Sequence, residues 1–213
     1  MRWPARTAAA LAIVLAFGLA FALTPPAGPR SMRQFRPARL AELEVGMWQA
    51  YYARERVRLF RLLVTHLREQ YRYSWATATL EGFHLARAAA AFGDLTGNYD
   101  VVLPDLEAAY AKARSWTDSA FDPRAVARAE LAWWVARRVP GQNSPEQVGR
   151  LIAEEYALLY ETTPENVASA ALLRARAAAI RDAHADHPDW SQIASLLRAS
   201  YDELLAALAS ANV

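Results

Sequence analysis

From Pro37 to about Tyr73, apolar residues recur three and four positions apart, through Leu40, Leu43, Met47, Tyr51, Leu59 and Leu62, with Leu63 and Leu67 beside them. That period belongs to an α-helix, and it predicts one long helix, or two in line, over 37–72. The far end of the chain repeats the pattern cleanly: Trp190, Ile193, Leu197, Tyr201, Leu204 and Leu208 form one stripe. Between these, proline marks the starts. Asp122-Pro123, Ser144-Pro145 and Thr163-Pro164 each put a side-chain acceptor at the N-cap and proline at the first helical position. Gln147, three after Ser144, completes a capping box. Pro104 and Pro188 mark two further starts, and the segments 93–100 and 139–144 carry the breakers.

The expected helices therefore run over about 37–72, 76–92, 103–116, 123–138, 145–161, 164–183 and 189–210. No stretch alternates β-branched and polar residues, which argues against a sheet. No unit of about 30–45 residues repeats with shared landmarks, which argues against a solenoid. The fold class is all-α: a single compact bundle of about six to seven helices, preceded by an N-terminal apolar helix.

That first helix follows from an unbroken apolar run, Thr7 to Leu23, after a basic start and before a Pro/Gly/Arg segment. The chain divides accordingly into 1–23, a linker over 24–36, and the bundle over 37–213. Ala20-Phe21-Ala22 would serve as a signal-peptidase site. As a membrane anchor the run is at the short end of the roughly 17–25 residues a spanning helix needs. The reading favoured here is an uncleaved single-pass anchor over 7–23, with the helical domain exported to the periplasmic or extracellular side; cleavage would make the protein secreted. Arg30, Arg33, Arg36 and Arg39 follow the run and suit anionic headgroups.

Composition narrows the classes. Hydrophobic residues make up 54% of the 213, so the bulk of the chain folds. A formal net charge of +2 argues against a nucleic-acid partner. Lys112 is the only lysine, which leaves arginine to pair with any buried acid. Without cysteine there are no disulfides, thiolate metal sites or thiol nucleophiles. No Gly-x-Ser-x-Gly or phosphate-binding glycine loop occurs either.

The remaining chemistry lies in charged groups on apolar faces. Glu44, Tyr51, Glu55, Leu59, Leu62 and His66 share a face of the first bundle helix, and Glu81 and His84 lie three apart on the second. Glu130 falls between Val126 and Trp133, and Glu155 between Leu151 and Leu158. Glu81-Gly-Phe-His84, with single carboxylates on other helices, resembles part of the ferritin-like di-iron pattern, which takes Glu from two helices and Glu-x-x-His from two more. The resemblance implies Glu44, Glu81, His84 and Glu130 as ligands of an iron or manganese pair, with Glu155 as a fifth. The second Glu-x-x-His of that pattern has no match in this chain.

The competing account needs no cofactor: the acids pair with Arg137, Arg174 or Arg181, each charge satisfying the other. His184-Ala-Asp-His187 has ligand-like spacing but belongs to a helix C-terminus. His66 and His84 lack a haem motif, and the aromatic segments 47–52, 71–75 and 132–134 fit core and groove positions. A third account leaves a ligand pocket between the helices. The leading expectation is a non-catalytic, membrane-tethered interaction or accessory module with a protein partner; the alternative is a di-metal oxidoreductase.

Overall fold

Proline opens three helices where the sequence places it: Pro123, Pro145 and Pro164 each occupy the first helical turn. Asp122 and Ser144 cap two of them by accepting from the Arg124 and Gln147 amides. The structure, a computed structural model, describes residues 5–117 and 119–210, with side chains from Ala10 onward. Within these lie nine α-helices and no strand: α1 (Ala5–Leu23), α2 (Pro37–Tyr52), α3 (Arg56–Tyr71), α4 (Trp75–Asp94), α5 (Leu103–Thr117), α6 (Pro123–Ala136), α7 (Pro145–Tyr160), α8 (Pro164–Ala183) and α9 (Trp190–Ser210). A 3₁₀ turn, Tyr99–Val102, leads into α5.

The all-α class holds, but the helix number exceeds the six to seven expected. The extra element comes from 37–72, which is neither one helix nor two in line. Arg54 adopts a left-handed conformation (φ 57°), and the chain doubles back there. Arg39 on α2 meets Glu69 on α3 at 2.8 Å, and Gly46 packs beside Leu62, so α2 and α3 form an antiparallel hairpin. The segment around the turn, Ala53 to Arg56, holds neither glycine nor proline, so no local breaker announces it.

The same reversal repeats along the chain. Consecutive helices from α2 to α9 pack on each other, and α9 returns to α2, which closes a ring. Small residues permit the close approaches. A Cβ on Gly82 of α4 would lie 3.0 Å from Val64 of α3, and one on Gly149 of α7 would lie 3.2 Å from the Leu172 backbone of α8. The inner face of α8 is Val167, Ala170, Ala171, Ala175, Ala177 and Ala178, all buried. Ser200 of α9 donates to the Ala170 carbonyl at 2.8 Å across that close seam.

Residues 24–36 lie across one end of the ring. Met32 is buried in the core, Arg30 stacks over Trp116 at 3.8 Å, and Arg33 donates to the Tyr160 carbonyl. α1 makes its main contact with α4 and exposes Leu15, Phe17, Leu19 and Phe21. Among the described residues no helix is long and apolar enough to cross a membrane, so the expected spanning anchor is not supported. That expectation falls partly on residues 1–9, whose side chains lie outside the described set.

Candidate functional site

Alternating helix direction gives the ring two unlike ends. At one end α2, α4, α6 and α8 finish; at the other they begin. The interior is hollow in two adjoining parts. A cavity of about 460 Å³ lies toward the first end, between Trp48 and Tyr52 of α2, Phe92 of α4, Trp133 and Trp134 of α6, and the end of α8. A chamber of about 180 Å³ lies toward the second, beneath Tyr71, Tyr73 and Tyr160. His66, Glu130 and Arg174 line both.

Arginines dominate the larger cavity, at helix C-termini where carbonyl dipoles favour positive charge. Arg138 donates to the Phe92 and Leu95 carbonyls that end α4, at 2.7 and 3.1 Å. Arg137 donates to both oxygens of Asp182 and to the Tyr52 hydroxyl at 2.9 Å. Arg181 lies 3.2 Å over the Tyr52 ring and 3.5 Å from Asp182. Its buried Nε has no hydrogen-bond partner among the described residues.

Deeper in, Arg174 donates to Glu44 from two nitrogens, at 2.9 and 2.5 Å, and the Tyr201 hydroxyl donates to the other Glu44 oxygen at 2.6 Å. Glu44 is 2% exposed, so this pair carries its own compensation in a setting where a lone charge would be costly. Burial opposes the Arg174 charge, but Glu44 holds it firmly protonated.

The acids beyond it have no arginine fork. The Tyr110 hydroxyl lies 2.8 Å from Glu130 Oε2 and 3.3 Å from Glu155 Oε1, and the Trp133 indole donates to Glu155 Oε2 at 2.6 Å. Burial, then the neighbouring Glu155, pushes Glu130 up to about 8; burial raises Glu155 as well. Two carboxyls around one phenol thus retain a proton near neutral pH. Glu81 is buried in the wall of the smaller chamber, and its Oε2 has no partner. Burial raises it, against the pull of His84 and Lys112. Burial lowers His66, leaving its imidazole neutral at pH 7.

Three of the five residues in the sequence-derived metal set come together. Glu81, Glu130 and Glu155 line the smaller chamber, whereas Glu44 is committed to Arg174 and Tyr201. His84 turns away: its Nδ1 lies 2.8 Å from Asp105 Oδ1, and Arg87 also holds Asp105. Although burial works against it, those two partners keep Asp105 below the usual carboxylate range. Among the described residues no three His, Asp or Glu side chains converge where a metal ion could be held. The iron or manganese pair therefore has no ligand set in this geometry. His184 and His187 are exposed at the turn between α8 and α9.

Asp105, Tyr110 and Trp133 are the site residues that sequence reasoning passes over. Asp105 reads as a first-turn acid after Pro104, and Trp133 as an apolar-face residue; neither local pattern reveals a partner on another helix. Comparison with known proteins adds no relative: no family model, curated protein or solved structure matches the chain.

Proposed function

We propose that the ring is a non-catalytic binding module whose ligand is a small organic anion with an apolar or aromatic body, held in the larger cavity. The observation that carries this is Arg181, a cation with 15% of its side chain exposed, whose buried Nε has no partner beside the cavity it lines. Its guanidinium makes one long contact, 3.5 Å to Asp182, so a carboxylate in the cavity would supply the charge-assisted partner it lacks among the described residues. Charge favours the same sign. Arg137, Arg138, Arg174 and Arg181 face only Glu44 and Asp182, with Glu130 holding its proton. The volume falls within the roughly 300–1,000 Å³ of ordinary ligand pockets, and the indole and phenol walls suit a flat or apolar body.

The test is thermal denaturation and tryptophan-fluorescence titration with 3-phenylpropionate, benzoate and hexanoate. The expected result is a rise in Tm, quenching of the cavity indoles, and at least about tenfold weaker binding by Arg181→Gln. Absence of binding by all three anions, or unchanged affinity in Arg181→Gln, overturns the reading.

We also propose that α1 attaches the domain to a membrane, with the ring on the exported side as an accessory module. The exposed apolar side chains of α1, Phe17 and Phe21 among them, support this, as do Trp75, Leu80 and Phe83 exposed on α4, the helix it contacts. Fractionation of cells expressing the full chain and a form lacking 1–23 tests it. Recovery of both forms in the soluble fraction would sink the proposal.

A further inference from the structure

Four buried side-chain polar atoms among the described residues have no hydrogen-bond partner: Arg181 Nε, His66 Nδ1, Gln70 Oε1 and Glu81 Oε2. All four residues line the interior of the ring, and they are sorted by kind. The one obligatory donor, Arg181, lies in the larger cavity. Gln70 and Glu81, both acceptors at those atoms and each 6% exposed, lie in the smaller chamber. His66 lines both, and as a neutral imidazole it can offer Nδ1 as a third acceptor. Buried polar groups ordinarily find a partner, so each of these four calls for one.

We propose that the smaller chamber receives an organic ammonium group, so that the ligand of the ring is an extended zwitterion whose carboxylate lies at Arg181, a free short peptide being its simplest form. This rests on the anionic-ligand reading above and adds the other end of the molecule.

An ammonium brings three N–H donors and no acceptor, and Glu81, Gln70 and His66, all on the chamber wall, each have an acceptor atom that no protein donor uses among the described residues. The chamber supplies what a desolvated cation needs. Glu81, Glu130 and Glu155 place three carboxyl groups on its wall, and Tyr71 and Tyr73, stacked at 5.3 Å, add aromatic faces. The nearby protein cations do not fill that role. Arg174 is tied to Glu44, and Lys112 influences Glu81 without forming an ion pair with it. A metal ion fits less well, because among the described residues no three His, Asp or Glu side chains converge on one point.

Length selects the extended form. Arg174 borders both spaces, and Arg181 lies seven residues farther along α8, about 10 Å by helical rise. A single α-amino acid is too short to reach from beyond Arg174 to Arg181. Three extended residues span about 10 Å. Indole and phenol walls between the two charges suit side chains along such a chain.

The experiment uses the purified full chain and an equimolar tripeptide library in three forms: free, N-acetylated and C-amidated. Binding is read by thermal shift and by native mass spectrometry of the retained peptides, with 3-phenylpropionate as the anion control. The free library should bind at least about tenfold better than either blocked form. Glu81→Gln should erase the advantage of the free over the N-acetylated form while leaving 3-phenylpropionate binding unchanged. Gln70→Glu, which adds an acid without removing the acceptor, should widen that advantage and covers the case in which Glu81→Gln does not fold. Equal binding of free and N-acetylated peptides, or retention of 3-phenylpropionate with no peptide, overturns the ammonium site and leaves the anion reading standing. Binding of neither peptides nor 3-phenylpropionate overturns both. Acceptors satisfied by ordered water alone would give that same equality of free and acetylated forms.

Discussion

Where α2, α4, α6 and α8 end, the charges facing the interior are arginines with Asp182 among them, and the walls between them are indoles and phenols. Where α3, α5 and α7 end, the interior is acids and phenols, and the guanidinium on its wall, Arg174, is hydrogen-bonded to Glu44. Both ends are closed by the same kind of helical hairpin, so the contrast lies in side chains rather than backbone. Between them, at mid-height, lies one ion pair, Glu44 with Arg174, whose charges satisfy each other. A buried charge can thus be structural or available, and the criterion is whether its hydrogen-bonding atoms are all used.

The largest expected effect comes from breaking that mid-height pair. Arg174→Met leaves Glu44 buried with only the Tyr201 hydroxyl, and should cost roughly 3–5 kcal/mol in chemical denaturation. The double variant Glu44→Gln/Arg174→Met should recover much of the loss, because no charge is then left alone. A loss under about 1 kcal/mol for Arg174→Met would show that this pair does not hold the ring together.

Titration sharpens the contrast next. Glu130 is raised to about 8 in the folded protein, by burial and then Glu155, while the unfolded carboxyl titrates near 4.5. The folded state therefore binds the proton more tightly, so this group favours folding below about 4.5 and that contribution is lost as pH rises toward about 8. Glu155, Tyr110 and Arg174 are the groups that act on it: Glu155 adds to the shift, and the Tyr110 hydrogen bond and then Arg174 oppose it. Glu130→Gln keeps the shape and cannot ionise. It should match the wild type near pH 5 and exceed it at pH 9 by on the order of 1–4 kcal/mol. Tm scans across pH check this, and a wild type that gains stability relative to Glu130→Gln on the alkaline side would contradict it.

Much of this architecture is legible in the chain itself. Pro123, Pro145 and Pro164 act through a fixed φ and a missing donor, both local properties, so α6, α7 and α8 start where the sequence indicates. The reversal at Arg54 is not local: α2 and α3 separate because Gly46 and Arg39 find Leu62 and Glu69 across the hairpin. The same distinction governs the site. That an acid and an arginine would pair inside follows from their places on apolar faces, and Glu44 with Arg174 bears it out. Which acids would be left without arginine depends on the rotation of α4 and α6 in the ring. His84 illustrates the limit. Its spacing from Glu81 suits a shared ligand, yet Asp105, 21 residues on, takes the imidazole instead.

Arg181 should give the smallest effect on stability, and that smallness tests the comparison from the other side. Arg181 and Arg174 come from the same helix, seven residues apart, and both are mostly buried, with 15% and 17% of the side chain exposed. Arg174 spends its nitrogens on Glu44, whereas Arg181 has a 3.5 Å contact with Asp182, the Tyr52 ring beneath it and an Nε with no partner. Arg181→Gln forfeits a cation–π contact of about 0.5–1 kcal/mol and relieves repulsion from Arg137 and Arg138, so unfolding free energy in the absence of ligand should change by less than about 1 kcal/mol. Measured beside Arg174→Met in the same denaturant series, it separates an arginine that holds the ring together from one held ready for a ligand. A loss for Arg181→Gln as large as that for Arg174→Met would make both structural, and the arginine-lined end would then hold no charge to spare for an anion.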